Sequence, residues 1–408
     1  MKIFSARFLL PVGAPLVEDG ALLVADGRIR AVGTFRALAA AHPGAAAVDF
    51  GEAAILPPLV NAHTHLELTD FPQWAAAAGE GDEPADFVDW VLRVVRVRRT
   101  VDDAAAGASL AHGLAQSLES GTGAVGDILT TLAAAGAYAA TPLAGRVFAE
   151  VLGVDAPRVA ARLDAIAGRL AAAPGPALAW GLSPHAPYTL TSETFAQAAA
   201  CAREHALPLA MHWAETAGEG EFLAAGTGPF ARLHAAAGWS ATAPRPALDG
   251  YRGVVVHGTH LQAAEVEALA RTGCSVALCP RSNSRFGAAR APLAALHRAG
   301  VPLALGTDSR ASSPSLSVWE ELDFARHWFA GALGPDEWLA IATAGGAAAL
   351  GLADRLGRLA PGLAASFQVV AVPAGATAAT VAEALCAAGA AVNVRGLWLD
   401  GENVLPPC

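Results

Sequence analysis

The sequence predicts an α/β chain organised as a (β/α)8 barrel of the TIM type, with a small β-sandwich domain formed from both termini. Three observations predict it. From about Leu56 to Leu359, apolar runs of strand length alternate with Ala-, Leu- and Arg-rich stretches of helical period. Eight of those runs end near a side chain with chemistry to offer: His63, Asp127, Glu150, His185, His212, His257, Cys279 and Asp308. Barrels of this kind build their sites at the strand C-termini, so the list fits the rule. The flanking segments show short β-like runs instead. The expected division is residues 1–56 and 360–408 for the two parts of the β-domain, with 57–359 as the barrel.

Taken in order, IFSARFLL, ALLVADGRIRAVG and VDFG are short β-like runs, with VEDG and similar turn signals between them. The run AAILPPLVNAHTH then ends in His63 and His65 as the first barrel strand. An acidic, Gly-rich loop (AAAGEGDEPADF) and the amphipathic stretch VDWVLRVVRVRR follow. This insertion, residues 75–99, either covers the barrel mouth as a lid or packs outside it as a solvated helix. Ile128 to Gly145 is the longest uncharged stretch, but its Ala, Gly, Thr and Pro content suits a buried strand and helix better than a membrane span. SETFAQAAACAREH and QAAEVEALARTG read as helices between strands. At the far end LAASFQVVAV and AVNVRGLWLDGENV resemble the N-terminal runs and complete the β-domain.

Composition narrows the partners. The 408 residues are 54% hydrophobic and 16% charged, enough for one barrel and a smaller domain with a large core. A net charge of −10 with scattered basic residues argues against nucleic acid and against an anionic membrane surface. Small molecules are the expected partners, and the apolar helices permit a homodimer. The first residues hold no apolar run long enough for a secretory segment, so the expected compartment is the cytoplasm. Five cysteines without a CxxC pair suit a reducing compartment. Lys2 is the only lysine. A binuclear centre bridged by a carboxylated lysine is thereby excluded, since an arginine guanidinium stays protonated, and a single metal ion is expected.

His63, His65, His212 and Asp308 carry the metal expectation. Residues i and i+2 of a strand share a face, so His63 and His65 can both aim into the barrel. Alone, His212 reads as a buried structural histidine and Asp308 as a helix N-cap. Their joint placement at strand ends is what points to chelation. Three imidazoles and a carboxylate suit zinc, with ferrous iron the other fit, and leave a position for water. Such an ion lowers the pKa of water from about 15.7 to about 7. Glu215, three residues beyond His212, is the candidate general acid/base, and its plain alternative is a surface glutamate. His257 is placed to hold the attacking water, and Asp308 to shuttle its proton. His260 and Cys279 read as structural.

These residues resemble the amidohydrolase superfamily, in its mononuclear aminohydrolase branch with the triazine chlorohydrolases and the adenosine and S-adenosylhomocysteine deaminases. The similarity runs from DGRIRAVG through LPPLVNAHTHLE, SPHAPYTLT, MHWAET, VVVHGTHL, CPRSN and LGTDSRASS to LAPGLAASF. It implies a metal held by His63, His65, His212 and Asp308, Glu215 protonating a ring nitrogen, His257 with Asp308 activating water, and His185 touching substrate. NAHTHLEL and CPRSNSRFG look like a narrower subgroup, the 6-aminodeoxyfutalosine deaminases of menaquinone biosynthesis. On that reading Glu67 accepts hydrogen bonds from ribose hydroxyls or a ring N–H, and Arg281 or Arg285 pairs with a benzoate, unless each forms an ordinary structural salt bridge. Other purine or pterin deaminases and a triazine dechlorinase keep the same chemistry with another substrate. A catalytically silent ligand-binding barrel is the reading from a different class.

Overall fold

The computed structural model describes residues 1–81, 84–239, 248, 251–287 and 289–405. Eight parallel strands follow one another in sequence order around one sheet: β1 (Leu59–Thr64), β2 (Thr122–Leu129), β3 (Ala144–Val151), β4 (Leu178–Pro184), β5 (Leu209–Trp213), β6 (Gly253–His257), β7 (Ser275–Leu278) and β8 (Leu303–Leu305). A parallel bridge between Thr64 and Asp308 joins the last strand to the first, and the Asp308 N–H donates to the His63 carbonyl at 3.1 Å. The sheet is therefore a (β/α)8 barrel with its seam beside the candidate ligands.

Side-chain alternation explains why these runs are strands. Val60, Ala62, Ala124, Ile128, Phe148, Ala210, Val254, Val256 and Ala304 pack in one cluster inside the barrel. Their chain neighbours Val125, Val147, Met211, Val255 and Leu305 face outward into a larger cluster shared with helix residues such as Leu110, Leu163 and Leu269. A strand buried on both faces reads as a continuous apolar run, which is what LPLAMHW and GVVVH are. Helices at Ala156–Ala167, Ser192–Glu204 and Ala263–Thr272 cross between strands as expected. The crossover from β2 to β3 differs. Residues Leu132–Ala140 form a 3-10 turn instead of an α-helix, since this short, Gly-containing connection has no room for one.

Both termini build a second, mixed sheet in the order 402–403, Val394–Leu399, Phe367–Ala371, Ala53–Leu56, Lys2–Leu9, Val17–Ala25 and Arg28–Thr34, with Ala46–Asp49 added on Lys2–Leu9. Ala53–Leu56 pairs antiparallel with Phe367–Ala371, so segments over 300 residues apart are neighbours. Phe4, Phe367 and Trp398 stack in its core. Among the described residues no helix is long and apolar enough to cross a membrane.

The insertion after β1 holds two helices, Phe71–Ala77 and Phe87–Arg98. Residues 82 and 83 of its acidic loop lie outside the described residues. The Asp86 carboxylate caps the second helix by accepting from the Asp89 N–H, and Arg96 and Arg98 sit on its last turn, where the helix dipole favours cations. Phe87 and Val88 pack with Tyr188, Phe230 and Leu233, so the helix lies against the neighbouring βα loops at the strand C-terminal end.

Candidate metal centre and active site

Every ligand candidate sits where a strand gives way to a loop, and the backbone is bent there to aim it. A register shift in β1 between Asn61 and Thr64 precedes the two histidines. His63 lies in the strand, while His65 lies one residue past its end at the start of the turn Leu66–Leu68. Ala214, His257 and Asp308 adopt left-handed φ values of +53°, +69° and +57° at the ends of β5, β6 and β8. Such backbone is strained for residues other than glycine and persists only where the surroundings hold it. Gly306 has a different purpose: a Cβ there would come 2.8 Å from the His63 Cβ and carbonyl.

The side chains converge. Nε2 of His65 and Nε2 of His212 are 3.2 Å apart, and Oδ1 of Asp308 is 3.7 Å from His63 Nε2 and 3.6 Å from His65 Nε2. His257 Nε2 faces Glu215 Oε1 at 3.5 Å. Ligand atoms of His63, His212 and His257, of His63, His65 and Asp308, and of Glu215, His257 and Asp308 form three groups, each within 4.8 Å. Among the described residues, both ring nitrogens of His63 and Nε2 of His257 are buried without a hydrogen-bond partner. Buried polar atoms are nearly always satisfied, so orphaned imidazole nitrogens aimed at one point fit a divalent ion.

Electrostatics keep this donor set ready. Burial, with help from the neighbouring His63, lowers His65 to a pKa of about 3; burial brings His185 and His257 to about 4 and pushes His212 well below its usual value. All are neutral at pH 7, which is the form that ligates. Burial opposes ionisation of Asp308, but the facing His63, His65 and His257 outweigh it and hold the carboxyl well below its usual range. Glu215 goes the other way. Burial first, then the charges of Asp308 and Glu219, raise it well above an ordinary glutamate.

A second layer holds the first. The Nδ1–H of His212 donates to the His185 carbonyl at 2.8 Å, which leaves Nε2 free to ligate. Asp308 accepts from the Ser309 N–H (2.7 Å) and from the Ser282 and Ser312 hydroxyls (2.6 and 3.1 Å). The Asn283 amide meets His257 Nδ1 at 3.1 Å. Buried Glu219 accepts from the N–H groups of Ala214 and Glu215 at 3.0 and 2.9 Å, clamping the bend that carries Glu215.

The family model described as "Amidohydrolase family" matches residues 54–404, most of the chain. The chain belongs to the amidohydrolase family. It is a hydrolytic enzyme acting on C–N bonds, and the family with its His/Asp cluster supports a divalent metal. A second model, an imidazolonepropionase-like composite domain of bacteria, matches residues 20–45. The chain is 34% identical over 373 residues to the 5-methylthioadenosine/S-adenosylhomocysteine deaminase of Nitratidesulfovibrio vulgaris, covering 87% of this chain and 80% of that one. It is 33% identical over 361 residues to the aminodeoxyfutalosine deaminase of Deinococcus radiodurans, with 82% of each covered. The crystal structure of Helicobacter pylori aminofutalosine deaminase with methylthio-coformycin superposes with a TM-score of 0.87 over 99% of this chain and 100% of that chain, at 22% identity.

In this amidohydrolase a cavity of about 900 Å3 opens over the centre, lined by His65, Glu67, His185, His212, Glu215, His257 and Asp308. That is at the upper end of ordinary small-molecule pockets, about 300–1,000 Å3. The helix Phe87–Arg98 lines it too, so the insertion covers the mouth. Two expected contacts lie elsewhere. Arg281 donates to Glu321 (2.6 Å), Glu320 (2.7 Å), the Ser315 hydroxyl (3.0 Å) and the carbonyls of Ser315 and Ser317 (3.0 and 3.1 Å). All five of its N–H groups have partners in the protein, so the structural salt bridge replaces the benzoate contact. Arg285 donates to the Ala311 carbonyl at 3.2 Å and lines a separate recess with Arg281 and Arg310.

Glu150, at the end of β3, lines the same cavity as Glu67; the sequence placed it at a strand end but assigned it no role in the site. Thr130 links the pair. Its hydroxyl donates to Glu150 at 2.7 Å, and the next N–H, of Thr131, donates to Glu67 at 2.9 Å. Behind them Asp127 accepts from the Leu66 N–H at 2.8 Å and from the Tyr138 hydroxyl. Burial, opposed by those hydrogen bonds, raises Asp127 to a pKa of about 8. The folded protein thus holds a proton up to about pH 8 that the unfolded chain releases near pH 4, so this residue's contribution is full at low pH and lost as pH rises between those values. Urea midpoints measured from pH 5 to 8 are expected to fall more steeply in the wild type than in Asp127→Asn. Equal slopes would show that Asp127 is ionised in the fold.

Proposed function

We propose that this amidohydrolase removes the exocyclic amine of a 6-aminopurine nucleoside as ammonia, and that its substrate is 6-aminodeoxyfutalosine. One observation carries the reaction type: Glu215, the carboxyl that burial keeps protonated, stands 3.5 Å from His257 within the ring of ligand atoms. A proton held beside an activated water is what deamination of a ring amidine requires.

His63, His65, His212 and Asp308 are proposed to hold one divalent ion, zinc by the donor set. When bound, that ion supplies Lewis acidity and lowers the pKa of water to about 7. The remaining roles belong to side chains. Glu215 gives its proton to the ring nitrogen next to the amine-bearing carbon, so that carbon accepts the water oxygen. His257 and the ionised Asp308 hold the water by its hydrogens and take up a proton. As the C–N bond breaks, that proton leaves with the amine, the new hydroxyl returns its proton to Glu215, and the ring keeps a carbonyl. His185 lines the wall beside His212 and is proposed to contact the base. Glu67 and Glu150, which line the cavity beside each other, are proposed to accept from the ribose 2′ and 3′ hydroxyls.

Likeness to the Deinococcus radiodurans enzyme supports this substrate, and equal likeness to the Nitratidesulfovibrio vulgaris enzyme supports 5-methylthioadenosine or S-adenosylhomocysteine as the second reading. Ammonia release is the test, followed with the ultraviolet change of the purine on 6-aminodeoxyfutalosine, 5-methylthioadenosine, S-adenosylhomocysteine, adenosine and guanine. The expected result is the largest kcat/KM on the first. A larger value on another nucleoside moves the substrate, and no turnover on any by the metal-loaded protein overturns the reading.

A further inference from the structure

The cavity continues beyond the groups that the base and ribose would occupy. Its outer end is formed by two elements that share no other task, the last turns of the helix Phe87–Arg98 and the residue after β3. Val95 and Leu152 both line it there, 38% and 43% exposed. They are two of the five large hydrophobic side chains exposed among the described residues, and both stand at this rim. Leu92 and Trp239 extend the same apolar wall. Exposed apolar side chains gathered at a cavity mouth mark a surface kept for a ligand.

Cations are the other component. Arg96 is bound to Glu80 at 2.5 Å, and Arg98 donates to the Val101 carbonyl at 3.1 Å and to the Thr131 hydroxyl. Arg99, the next residue, lines the cavity, is exposed, and has no ion pair or side-chain hydrogen bond among the described residues. The carboxylates that line the cavity, Glu67, Glu150, Glu215 and Asp308, all belong to its inner end. Among the described residues that line it, the outer end therefore offers apolar walls and one guanidinium with its donors free, and no acid; Glu80 beside it is already paired with Arg96.

We propose that this outer end binds the 5′ substituent of the nucleoside and selects one that is apolar and ends in a carboxylate, with Arg99 as the anion's partner and Val95 and Leu152 as its walls. The inference rests on the deaminase reading above. It favours an aryl or acyl monoanion over a zwitterionic amino acid, whose ammonium group would face Arg99 unpaired. An exposed guanidinium–carboxylate pair is screened by salt, so the preference is modest and falls with ionic strength.

The experiment compares 6-aminodeoxyfutalosine with its methyl ester, which keeps the ring and removes the charge. In the wild type the ratio of kcat/KM for the acid to that for the ester is expected to be about fivefold, and to shrink on adding salt. Arg99→Ala is expected to bring the ratio near one through KM of the acid, and Arg99→Lys to restore part of it. Because Arg99 is exposed, the alanine variant folds as the wild type does. A ratio in Arg99→Ala within twofold of the wild-type ratio would overturn the inference while leaving the deaminase reading intact. A wild type that releases ammonia from 5-methylthioadenosine but shows no preference for acid over ester would do the same. A wild type that deaminates none of these nucleosides overturns the deaminase reading, and the inference with it.

Discussion

Glu215→Gln is expected to lower kcat for deamination about 100- to 10,000-fold, the ordinary weight of a general acid/base group, while leaving the metal content unchanged. Glutamine keeps the shape and the burial of the side chain, and Glu219 still grips the backbone N–H groups of residues 214 and 215. What is lost is the transferable proton. The raised pKa of Glu215 sets the sign of the pH dependence. Its acid form persists at neutral pH, so the wild-type rate falls as pH rises through that raised value, and the residual rate of Glu215→Gln lacks this limb. Steady-state kinetics from pH 6 to 9, with metal analysis of both proteins, test the assignment. Metal loss in the variant would show that Glu215 acts as a ligand instead.

His212→Ala is expected to abolish both metal and turnover. The substitution removes one of three imidazoles and leaves His63, His65 and Asp308 one donor short of the proposed set, with a gap where the histidine ring stood. Elemental analysis should find about one ion per chain in the wild type and almost none in the variant, as expected for a mononuclear centre. A ligand that binds only the folded state stabilises it by about 4 kcal/mol when present at 1,000 times its dissociation constant. Chelation should accordingly lower Tm in the wild type and leave His212→Ala unmoved. Retention of the ion by His212→Ala would take this histidine out of the proposed ligand set.

The sequence made the meeting of His63, His65, His212, Glu215, His257 and Asp308 legible because each follows a run apolar enough to be a strand buried on both faces. Eight such runs in order leave few topologies. It did not reveal how the backbone aims them. The left-handed turns fall at an alanine, a histidine and an aspartate, Ala214, His257 and Asp308, none of which signals positive φ as strongly as glycine does. The fate of Arg281 was illegible for another reason. Its partners Glu320 and Glu321 lie some 40 residues on, in a helix whose placement depends on the whole barrel, so the sequence showed a guanidinium but not that its donors were already taken. Glu150 was recognised as a strand end but given no role, because a single acid there gains meaning only beside Glu67 and Thr130, which come from two other loops.

The seam between β1 and β8 has a consequence for how the protein comes into being. The Thr64 hydroxyl meets the Asp308 carbonyl across 244 residues of chain, and the proposed ligands divide across that gap. A nascent chain that has emerged only as far as β5 carries His63, His65 and His212 with no strand to close against and no carboxylate to complete the set. The binding pocket is thus born with the last strand, and metal capture becomes a signal that synthesis has run past Asp308. Ribosome-bound chains of increasing length should acquire tight metal retention abruptly, once β8 has cleared the exit tunnel, rather than in proportion to the number of histidines already made.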